Sequence, residues 1–447
     1  MKKVITYGTY DLLHYGHENL LKRAKELGDY LIVGVTSDSF DKDRGKLNVR
    51  NNVLERVEAV RRTGYADEII IEDYVGQKID DIQKYDVDVF AIGSDWEGKF
   101  DYLKEYCEVV YLPRTEGISS TELRNKDVNP VKLGIVGCGR IAERFIKEAV
   151  HVSGAEVVAA YDTNDSALDR FAKLYSVRPC GDIDSLLDVV DGIYVATPHT
   201  SHYFYSKKAL LAGKHVLCEI PLVLKREESE ELFQIASGNR LVYLEASKTA
   251  HFPAWNHLLV LVKSGIIGDV IDVKASLSKL VASGLRELDD NQAGGSMTEL
   301  GPIPLMAIVK MLGTDISDIQ FYSKFHDGVD IFTRANIVYP GAVASVTLGL
   351  GVKTEGNLVV SGTKGYVLVP SPWWLTNFFE VNFEDRNKNK KYFYSFEGDG
   401  LRYELQEFIS MIIGKRTVSY RLNPVESLTI VDVIDKFRSC LNLHILE

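Results

Sequence analysis

Two stretches of the chain begin in the same way. "KKVITYGTYD" (2–11) and "VKLGIVGCGR" (131–140) are each a short β-branched run followed by a glycine-containing turn, and each leads into an amphipathic helical pattern. A strand, a glycine turn and a helix open a nucleotide-binding α/β unit. A chain of 447 residues is also too long for one ordinary hydrophobic core. The sequence therefore predicts two nucleotide-binding units in one chain.

The alternation of strands and helices sets the predicted domain boundaries. Strand and helix patterns alternate through 1–127 and again from 131, on either side of the polar stretch "RNKDVNP". From about residue 250 the strands lengthen and alternate polar with apolar residues, which is typical of an antiparallel sheet. We therefore expect an α/β chain with a Rossmann-like domain at 1–127, a Rossmann domain at 131–250, and an α/β substrate and oligomerisation domain at 251–447. The last helix, in "NPVESLTIVDVIDKFRSCLNL", is expected to pack back on the Rossmann part.

Charge and cysteine content exclude several classes of protein. The net charge of −11 argues against nucleic acid as a partner. The five cysteines form no CxxC pair, which suits reduced thiols and indicates neither a zinc site nor a disulfide scaffold. The start of the chain runs straight into a strand pattern, without a signal peptide. No apolar run approaches the ~18–20 residues needed to span a membrane. We expect a cytoplasmic protein that does not bind membranes.

The stretch "GTYDLLHYGH" (8–17) directly follows the first predicted strand. The backbone turns at Gly8, and Gly16 lets the start of a helix approach a ligand closely, which favours phosphate binding. His14 and His17 could donate hydrogen bonds to phosphate oxygens and stabilise charge on departing pyrophosphate. The alternative is that the two histidines only cap a helix. A second segment favours phosphate, because "RTEGISSTELR" (114–124) offers Arg114 and the hydroxyl groups of Thr115, Ser119, Ser120 and Thr121 at a helix start.

These segments resemble the glycerol-3-phosphate cytidylyltransferase family across 1–127. The resemblance is carried by "VITYGTYDLLHYGHENLLKRAKELGDYL", "GSDWEGKFDYL" and "EVVYLPRTEGISSTEL". It implies that His14 and His17 bind the phosphates of CTP and stabilise the transition state, and that Mg²⁺ bridges the phosphates. It also implies that the nucleotide is held by Gly8 and Thr9 at the phosphates, by Arg114, Thr115, Ser119 and Thr121 from the other side, and by Gly93, Asp95 and Trp96 near the base and ribose.

The acceptor segment departs from that family. "FDKDRGKLNVRNNVLERVEAV" (40–60) is not a close copy of the family's loop, but it keeps a cluster of basic residues, Lys42, Arg44, Lys46, Arg50 and Arg56. Such a cluster favours binding of an acceptor phosphate, with Lys46 and Arg56 as the chosen positions. Arg56 is favoured because it lies at a helix start. The alternative for each residue is a solvated surface charge. The acceptor is therefore not necessarily glycerol phosphate.

The second opening carries a dinucleotide fingerprint. Gly137, Gly139 and Ala142 form a G-x-G-x-x-A turn, and Asp162 ends the next predicted strand. The glycines permit close approach of a pyrophosphate. Asp162 would bind the ribose hydroxyls and oppose a 2′-phosphate, which favours NADH over NADPH, although Thr163 and Asn164 keep NADPH open.

Further segments resemble the glucose–fructose oxidoreductase and inositol dehydrogenase family (Gfo/Idh/MocA) over about 131–447. They are "VATPHTSHYFYSKKALLAGKHVLCEIPLVL", "LEASKTAHFPAW" and "AGGSMTELGPIPL". The resemblance implies a large, mostly antiparallel sheet, a homodimer or homotetramer, and a cofactor site that includes Thr197, Glu219 and Pro221. The chain departs from the family at Ile220, where a lysine is usual, and at Ile303, where a histidine or tyrosine is frequent.

A reductase needs a proton donor near the carbonyl oxygen. The two departures leave two interpretations: an inert cofactor-binding module, or an active domain with a substitute donor. Lys248 is the candidate catalytic residue, because it follows a strand that should end near the cofactor. His202 and His251 lie in similar loops, and the alternative for all three is a structural role.

Together the two halves predict a bifunctional enzyme. An NADH- or NADPH-dependent reduction of a ketose or aldose phosphate would give a polyol phosphate, and cytidylyl transfer from CTP would activate it with release of pyrophosphate. A fused reductase indicates a less common polyol, such as a pentitol or hexitol phosphate, for teichoic-acid-like or capsular polymers. The alternatives are a cytidylyltransferase with an inert dinucleotide-binding scaffold, and an adenylyltransferase of the same HxGH superfamily.

Overall fold

The computed structural model describes residues 1–43, 46, 49, 51, 53–74, 76–113, 130–282, 284–395 and 398–447. The chain divides into two compact units, the first containing residues 1–130 and the second containing most of residues 131–447. Within the described residues no helix is both long enough and apolar enough to cross a membrane.

The first unit is built on a five-stranded parallel sheet. Its strands are β1 Lys3–Gly8, β2 Tyr30–Thr36, β3 Glu68–Glu72, β4 Val89–Gly93 and β5 Glu108–Leu112. They are ordered β3-β2-β1-β4-β5. Its helices are α1 Tyr15–Lys25, α2 Asp38–Asp43, α3 Val53–Arg62 and α4 Gln77–Tyr85, with 3₁₀ turns at Ser94–Trp96 and Asp101–Glu105. The strand order reverses between β1 and β4, and the crevice at the carboxyl ends of such strands is where α/β sheets bind ligands.

Burial of both faces explains why β1 occupies the centre. Val4 and Ile5 have no exposed surface and point to opposite faces of the sheet, into two separate apolar clusters. Leu21 and Ala24 of α1 are buried in one of these clusters. Packing on both faces is the arrangement that parallel sheets require, and it fixes the start of α1 next to the end of β1.

The second unit opens with a six-stranded parallel sheet in the order β11-β10-β9-β6-β7-β8. The strands are β6 Val131–Val136, β7 Ala155–Tyr161, β8 Arg178–Pro179, β9 Gly192–Val195, β10 His215–Glu219 and β11 Tyr243–Ala246. The helices are α5 Arg140–Ala149, α6 Asp165–Tyr175, α7 Ile183–Leu187, α8 His202–Leu211 and α9 Arg226–Gly238. This is the doubly wound dinucleotide-binding architecture that the glycine turn predicts.

The rest of the second unit contains a nine-stranded sheet in the order β19-β18-β17-β16-β12-β15-β14-β13-β20. Only β12–β15 and β13–β20 pair in parallel among its described strands. The strands are β12 Val270–Ser278, β13 Asp318–His326, β14 Val329–Val338, β15 Val343–Gly349, β16 Leu358–Gly362, β17 Tyr366–Val369, β18 Phe378–Asn382, β19 Lys390–Phe393 and β20 Leu443–Ile445. The helices are α10 Lys248–His251, α11 Pro253–Lys263, α12 Arg286–Asp289, α13 Ser296–Leu300, α14 Pro302–Leu312, α15 Leu401–Ile413 and α16 Pro424–Arg438.

The end of the chain differs from the sequence-based expectation. The predicted terminal helix stops at Arg438, and Leu443–Ile445 forms β20 beside β13. The helix itself packs on α9 and α14, and Val431 lies in the same apolar cluster as the strands of the six-stranded sheet. A strand of three residues takes its register from a distant partner, so the local pattern does not reveal it.

Candidate functional sites

The two histidines of the first unit lie at the carboxyl end of β1. His14 is the N-cap of α1, with extended backbone, and its Nδ1 accepts a hydrogen bond from the Gly16 amide at 3.1 Å. The rings of His14 and His17 stack with centroids 4.0 Å apart. The capping interpretation is therefore correct for His14. It is compatible with a phosphate role, because the same helix start attracts anions.

Thr9 connects the glycine turn to the acceptor segment. Its side chain is almost fully buried, donates a hydrogen bond to Asp41 at 2.8 Å, and accepts one from Nζ of Lys46 at 2.8 Å. A Cβ at Gly8 would lie 2.9 Å from the ring of Tyr10, so the turn has no room for a side chain there. Nζ of Lys46 thus lies at the end of β1, and its role in phosphate binding stays a prediction.

Arg56 has a different position from the one expected. Its side chain is 1% exposed, and its guanidinium makes five hydrogen bonds within the unit, to the carbonyl oxygens of Thr9, Thr36 and Asn51 and to the carboxylates of Asp38 and Asp41. A guanidinium engaged in this way does not present itself to an acceptor phosphate. We assign Arg56 a positioning role, in which it joins the ends of β1 and β2 to α2.

The opposite wall of the crevice is the end of β4. No heavy atom lies within 4 Å of a Cβ built on Gly93, so the backbone is open there. Asp95 is exposed on the following 3₁₀ turn, and Nζ of Lys99 lies 4.8 Å from the centroid of the Trp96 ring. These residues have the exposure that base and ribose contacts need.

Several expected residues of this site lie outside the described part of the chain. They are Arg114, Thr115, Ser119 and Thr121, together with Arg44, Arg50 and the side chain of Lys42. Their roles remain predictions.

The glycine turn of the second unit has the shape that a dinucleotide requires. Gly137 has a φ of +95°, and a Cβ there would lie 2.6 Å from the carbonyl oxygen of Ala196. Gly139 has open space where its side chain would be, and Ala142 is fully buried on α5. Asp162 accepts hydrogen bonds from the amides of Cys138 and Asn164 at 2.7 and 2.8 Å. A cofactor pyrophosphate would thus meet bare backbone at the start of α5, with a carboxylate beside it.

Glu219, at the end of β10, is half-buried and interacts with the fully buried Glu404. The hydroxyl of Tyr194 donates a hydrogen bond to its carboxylate, and the Tyr194 ring stacks on Phe145 at 3.8 Å. Burial raises the pKa of Glu219. Glu404 of α15 is fully buried, with no hydrogen-bond partner on either carboxylate oxygen, and burial followed by repulsion from Glu219 raises its pKa well above the usual range. Burial thus opposes ionisation of both carboxyl groups.

Lys248 lies beside these two carboxyl groups. Its Nζ donates a hydrogen bond to the carbonyl oxygen of Asp399 at 2.9 Å. Burial, and then Arg144, lower the pKa of Lys248, while Glu404, Asp399 and Glu219 oppose that shift. A lysine with a lowered pKa can donate a proton at neutral pH. Ile220 and Ile303, at the positions of the family's usual proton-transferring residues, offer no polar group.

The other two histidines named from the sequence are buried. Nδ1 of His202 lies 2.9 Å from the carbonyl oxygen of Pro221, and Nε2 lies 2.8 Å from that of Thr197. Burial lowers the pKa of His202 to about 4, and a neutral ring donates a hydrogen bond to only one of these two carbonyl oxygens, which belong to the loops after β9 and β10. His251 is fully buried without a hydrogen-bond partner on either nitrogen, and burial lowers its pKa to about 3. Neither side chain has any exposed surface, and both nitrogens of His202 face carbonyl oxygens of the fold, so neither residue is placed to reach a substrate.

The sequence-based analysis missed one pair of side chains at this edge of the sheet. Nε2 of His199, in the loop after β9, lies 3.0 Å from the carboxylate of Glu299 on α13. Arg286 forms an ion pair with the same carboxylate at 2.8 Å. His199 begins the short turn that follows the end of β9 at Val195, and this position near a strand end was a usable signal. Its partner lies a hundred residues away, and no local pattern indicates it.

Comparison with known proteins gives two separate matches. The family model described as cytidylyltransferase-like matches residues 5–126. The model described as the oxidoreductase family with an NAD-binding Rossmann fold (Gfo/Idh/MocA) matches residues 131–246.

Individual proteins match the same two parts. Glycerol-3-phosphate cytidylyltransferase of Bacillus spizizenii is 56% identical over 129 residues, which are 28% of this chain and 95% of that protein. Trans-1,2-dihydrobenzene-1,2-diol dehydrogenase of Oryctolagus cuniculus is 29% identical over 325 residues, 69% of this chain and 98% of that protein. A solved 3-ketoreductase from Actinomadura kijaniata, in complex with NADP and TDP-benzene, superimposes with a TM-score of 0.64 at 22% identity, over 71% of this chain and 100% of that one. This last likeness shows a shared fold.

Proposed function

The chain belongs through residues 5–126 to the cytidylyltransferase-like family and carries an NAD-binding oxidoreductase domain from residue 131, and from that premise we propose that it makes a CDP-activated polyol. It reduces a ketose or aldose phosphate with NADH or NADPH, and it transfers a cytidylyl group from CTP to the resulting polyol phosphate. The observation that carries the proposal is that one chain contains both a domain 56% identical to a glycerol-3-phosphate cytidylyltransferase and an oxidoreductase domain.

The first half-reaction in this proposal uses the crevice between β1 and β4. The phosphates of CTP lie against the start of α1, where the amides and the two imidazoles of His14 and His17 stabilise the charge that develops as pyrophosphate leaves. Lys46 would neutralise a phosphate beside Thr9, and a Mg²⁺ bound with the nucleotide would supply further positive charge to its phosphates. The acceptor's phosphate oxygen attacks the α-phosphorus of CTP, and the bond from that phosphorus to the pyrophosphate oxygen breaks.

The second half-reaction uses the edge of the six-stranded sheet. The open backbone at Gly139 and the start of α5 hold the cofactor pyrophosphate, and Asp162 receives the adenosine ribose. A bound reduced nicotinamide supplies the hydride. The chain itself must orient the carbonyl and provide a proton for its oxygen. The sequence offers Lys248 as the proton donor. Its contact with Asp399 and the nearby carboxyl groups of Glu219 and Glu404 support a role in which its charge acts on the reacting carbonyl.

The choice of polyol follows from the combination of the two activities. A dedicated reductase in the same chain and an acceptor segment that departs from the glycerol phosphate family both favour a pentitol or hexitol phosphate. A CDP-linked polyol is a donor for phosphate-linked surface polymers, so a teichoic-acid-like or capsular product is part of the proposal.

A coupled assay tests the proposal directly. The full chain with Mg²⁺, CTP and either NADH or NADPH is offered dihydroxyacetone phosphate and a panel of ketose and aldose phosphates, while nicotinamide absorbance and pyrophosphate release are followed together. One sugar phosphate should both oxidise the cofactor and release pyrophosphate. Replacement of CTP by ATP should abolish pyrophosphate release, whereas activity with ATP would indicate an adenylyltransferase.

A second candidate function is a cytidylyltransferase joined to an inert cofactor-binding scaffold. The apolar side chains of Ile220 and Ile303 favour it, since neither can transfer a proton. In the same assay this candidate predicts pyrophosphate release only with preformed polyol phosphates, and binding of NADH or NADPH without oxidation by any member of the panel.

A further inference from the structure

His199 and Glu299 form a nearly buried pair at the carboxyl edge of the six-stranded sheet. The two side chains are 10% and 11% exposed, and Nε2 of the imidazole lies 3.0 Å from Oε1 of the carboxylate. Arg286 contacts the same oxygen at 2.8 Å and is itself 40% exposed. The pair and Arg286 therefore come from three separate segments of the second unit, and the guanidinium of Arg286 is partly exposed to solvent.

The second nitrogen of this imidazole is not used by the fold. Nδ1 of His199 is buried and makes no hydrogen bond within the chain. Because Glu299 is an acceptor at Nε2, the neutral ring carries its proton on Nε2 and leaves a lone pair on Nδ1. Among the described residues, the titratable groups that face the ring include His202, edge-on with ring centroids 5.5 Å apart, and Glu219, whose negative charge a protonated ring would stabilise. A buried polar atom without a hydrogen-bond partner destabilises the folded protein, so its presence needs an explanation. A bound ligand that supplies the missing partner is one such explanation.

The position of this pair matches the missing proton donor. His202 connects the pair to the position of the usual donor, because its ring centroid lies 5.5 Å from that of His199 and its Nδ1 lies 2.9 Å from the carbonyl oxygen of Pro221. The residue before Pro221 is Ile220, where the related oxidoreductases usually have lysine. His199 directly follows β9 and the Thr197-Pro198 turn, so it lies at the strand ends that form the cofactor crevice. The imidazole thus stands next to the site from which the usual donor is absent.

We propose that His199 exchanges the proton with the substrate oxygen in the reduction, and that Glu299 is its positioning residue. This inference rests on the proposed reductase. The hydride of the reduced nicotinamide adds to the carbonyl carbon, and the π pair of the C=O bond becomes a lone pair on oxygen. That oxygen takes the proton from Nδ1 of the imidazolium, and Nδ1 keeps the electron pair of the broken N–H bond. Glu299 stabilises the imidazolium before transfer, and the proton on Nδ1 is replaced from water that enters as the product leaves.

The test uses full-length His199→Ala beside Lys248→Ala and the unmodified chain. His199→Ala should lower the kcat of reduction by about 10²–10³-fold, the usual range for loss of a general acid. Added imidazole should restore part of this activity to His199→Ala and none to Lys248→Ala. The Kd of NADH or NADPH, from fluorescence titration, should change by no more than about threefold, less than the loss of one ordinary hydrogen bond. Pyrophosphate release from CTP and a preformed polyol phosphate should be unchanged, which shows that the first unit is unaffected, while the retained Kd for the cofactor shows that the second unit is folded.

Each contrary result has a defined meaning. If His199→Ala keeps more than about a third of kcat, or if its Kd for the reduced cofactor rises more than tenfold, the donor assignment is wrong. Glu299→Gln should lower kcat by about tenfold with KM unchanged. If Glu299→Gln and His199→Ala lower kcat equally, and imidazole restores no activity to His199→Ala, the donor assignment is also wrong. If the unmodified chain binds NADH or NADPH but reduces no substrate, both the proposed reductase function and the donor assignment are wrong. If the unmodified chain reduces a sugar phosphate and His199→Ala is equally active, only the donor assignment is wrong.

Discussion

At the residue scale, His14 combines two roles that a single substitution can separate. Its Nδ1 caps α1 through the Gly16 amide, and its ring stacks on His17. Asparagine is also a good N-cap, but it lacks the imidazole. We expect His14→Asn to keep the thermal midpoint while pyrophosphate release falls by about 10²-fold, the range for loss of one group that stabilises transition-state charge. His14→Ala is the matched variant and should lose stability as well; equal activity of His14→Asn and the unmodified chain would contradict the assignment.

Residue roles were predictable from the sequence only where they depend on the local turn. His14, Gly8 and Gly137 have the positions that a strand, a glycine turn and a helix dictate. Arg56 does not, because a basic residue in a polar segment gives no indication of how many backbone carbonyls will surround it. Its burial depends on the ends of β1 and β2, which come together only in the folded sheet. The pairing of His199 with Glu299 is equally invisible in the linear chain.

At the element scale, a buried ion pair joins α5 to α15. Arg402 makes two hydrogen bonds to Glu148 at 2.8 and 2.9 Å, and both side chains are less than a tenth exposed. Arg402→Met removes the cation from a buried carboxylate that keeps only backbone hydrogen bonds, which should destabilise the protein by about 3–5 kcal/mol. The double variant Arg402→Met/Glu148→Leu removes both charges and should recover most of the loss. Urea unfolding measures both, and equal stability of the single and double variants would contradict this account.

A buried carboxyl group couples β11 to α16 and makes stability depend on pH. Ser427 donates a hydrogen bond of 2.6 Å to Glu245, which is 2% exposed, and burial raises the pKa of Glu245 from 4.5 to about 7. A raised pKa means that the folded protein binds this proton more tightly than the unfolded chain does. The stability that results is fully present below the unfolded-state pKa and is lost as the pH rises through the folded-state pKa. Glu245→Gln should therefore be more stable than the unmodified chain at pH 8, by about 2 kcal/mol, with little difference at pH 5.

Thermal unfolding at the two pH values measures this effect. Glu227→Gln, on the exposed surface of α9, is the matched control and should show the same pH dependence as the unmodified chain. A Glu245→Gln variant whose stability relative to the unmodified chain is equal at pH 5 and pH 8 would show that Glu245 does not titrate in this range.

The elements themselves were largely predictable because each depends on its own pattern. The apolar runs of β1, β4, β6 and β9 and the helical period of α1 appear where the sequence indicates them. The exceptions are short. α2 has six residues in a polar segment, and β20 has three that pair with Phe321, Tyr322 and Ser323 of β13. Elements of this length are stabilised by distant partners and not by their own propensity.

At the scale of the whole molecule, the described residues of each candidate site come from one unit of the chain. The crevice at β1 and β4 uses residues before 130, and the dinucleotide turn with His199 and Glu299 uses residues after it. The two reactions should therefore be separable by substitution. His17→Ala should stop cytidylyl transfer but not cofactor oxidation. Gly137→Ala, which would bring a Cβ to 2.6 Å from a carbonyl oxygen, should stop cofactor binding but not pyrophosphate release from a preformed polyol phosphate.

A mixture of these two variants reports on the intermediate and on the order of the reactions. Neither variant alone should convert sugar phosphate, CTP and reduced cofactor into a CDP-linked polyol, whereas the mixture should, because a polyol phosphate is a small soluble anion that diffuses between chains. If reduction comes first, His17→Ala alone consumes cofactor and accumulates polyol phosphate, detectable by mass spectrometry. If reduction instead requires the CDP-linked sugar, His17→Ala consumes none, and Gly137→Ala accumulates the unreduced CDP-sugar. Failure of the mixture, with both single reactions intact, would mean that the intermediate passes between sites without release.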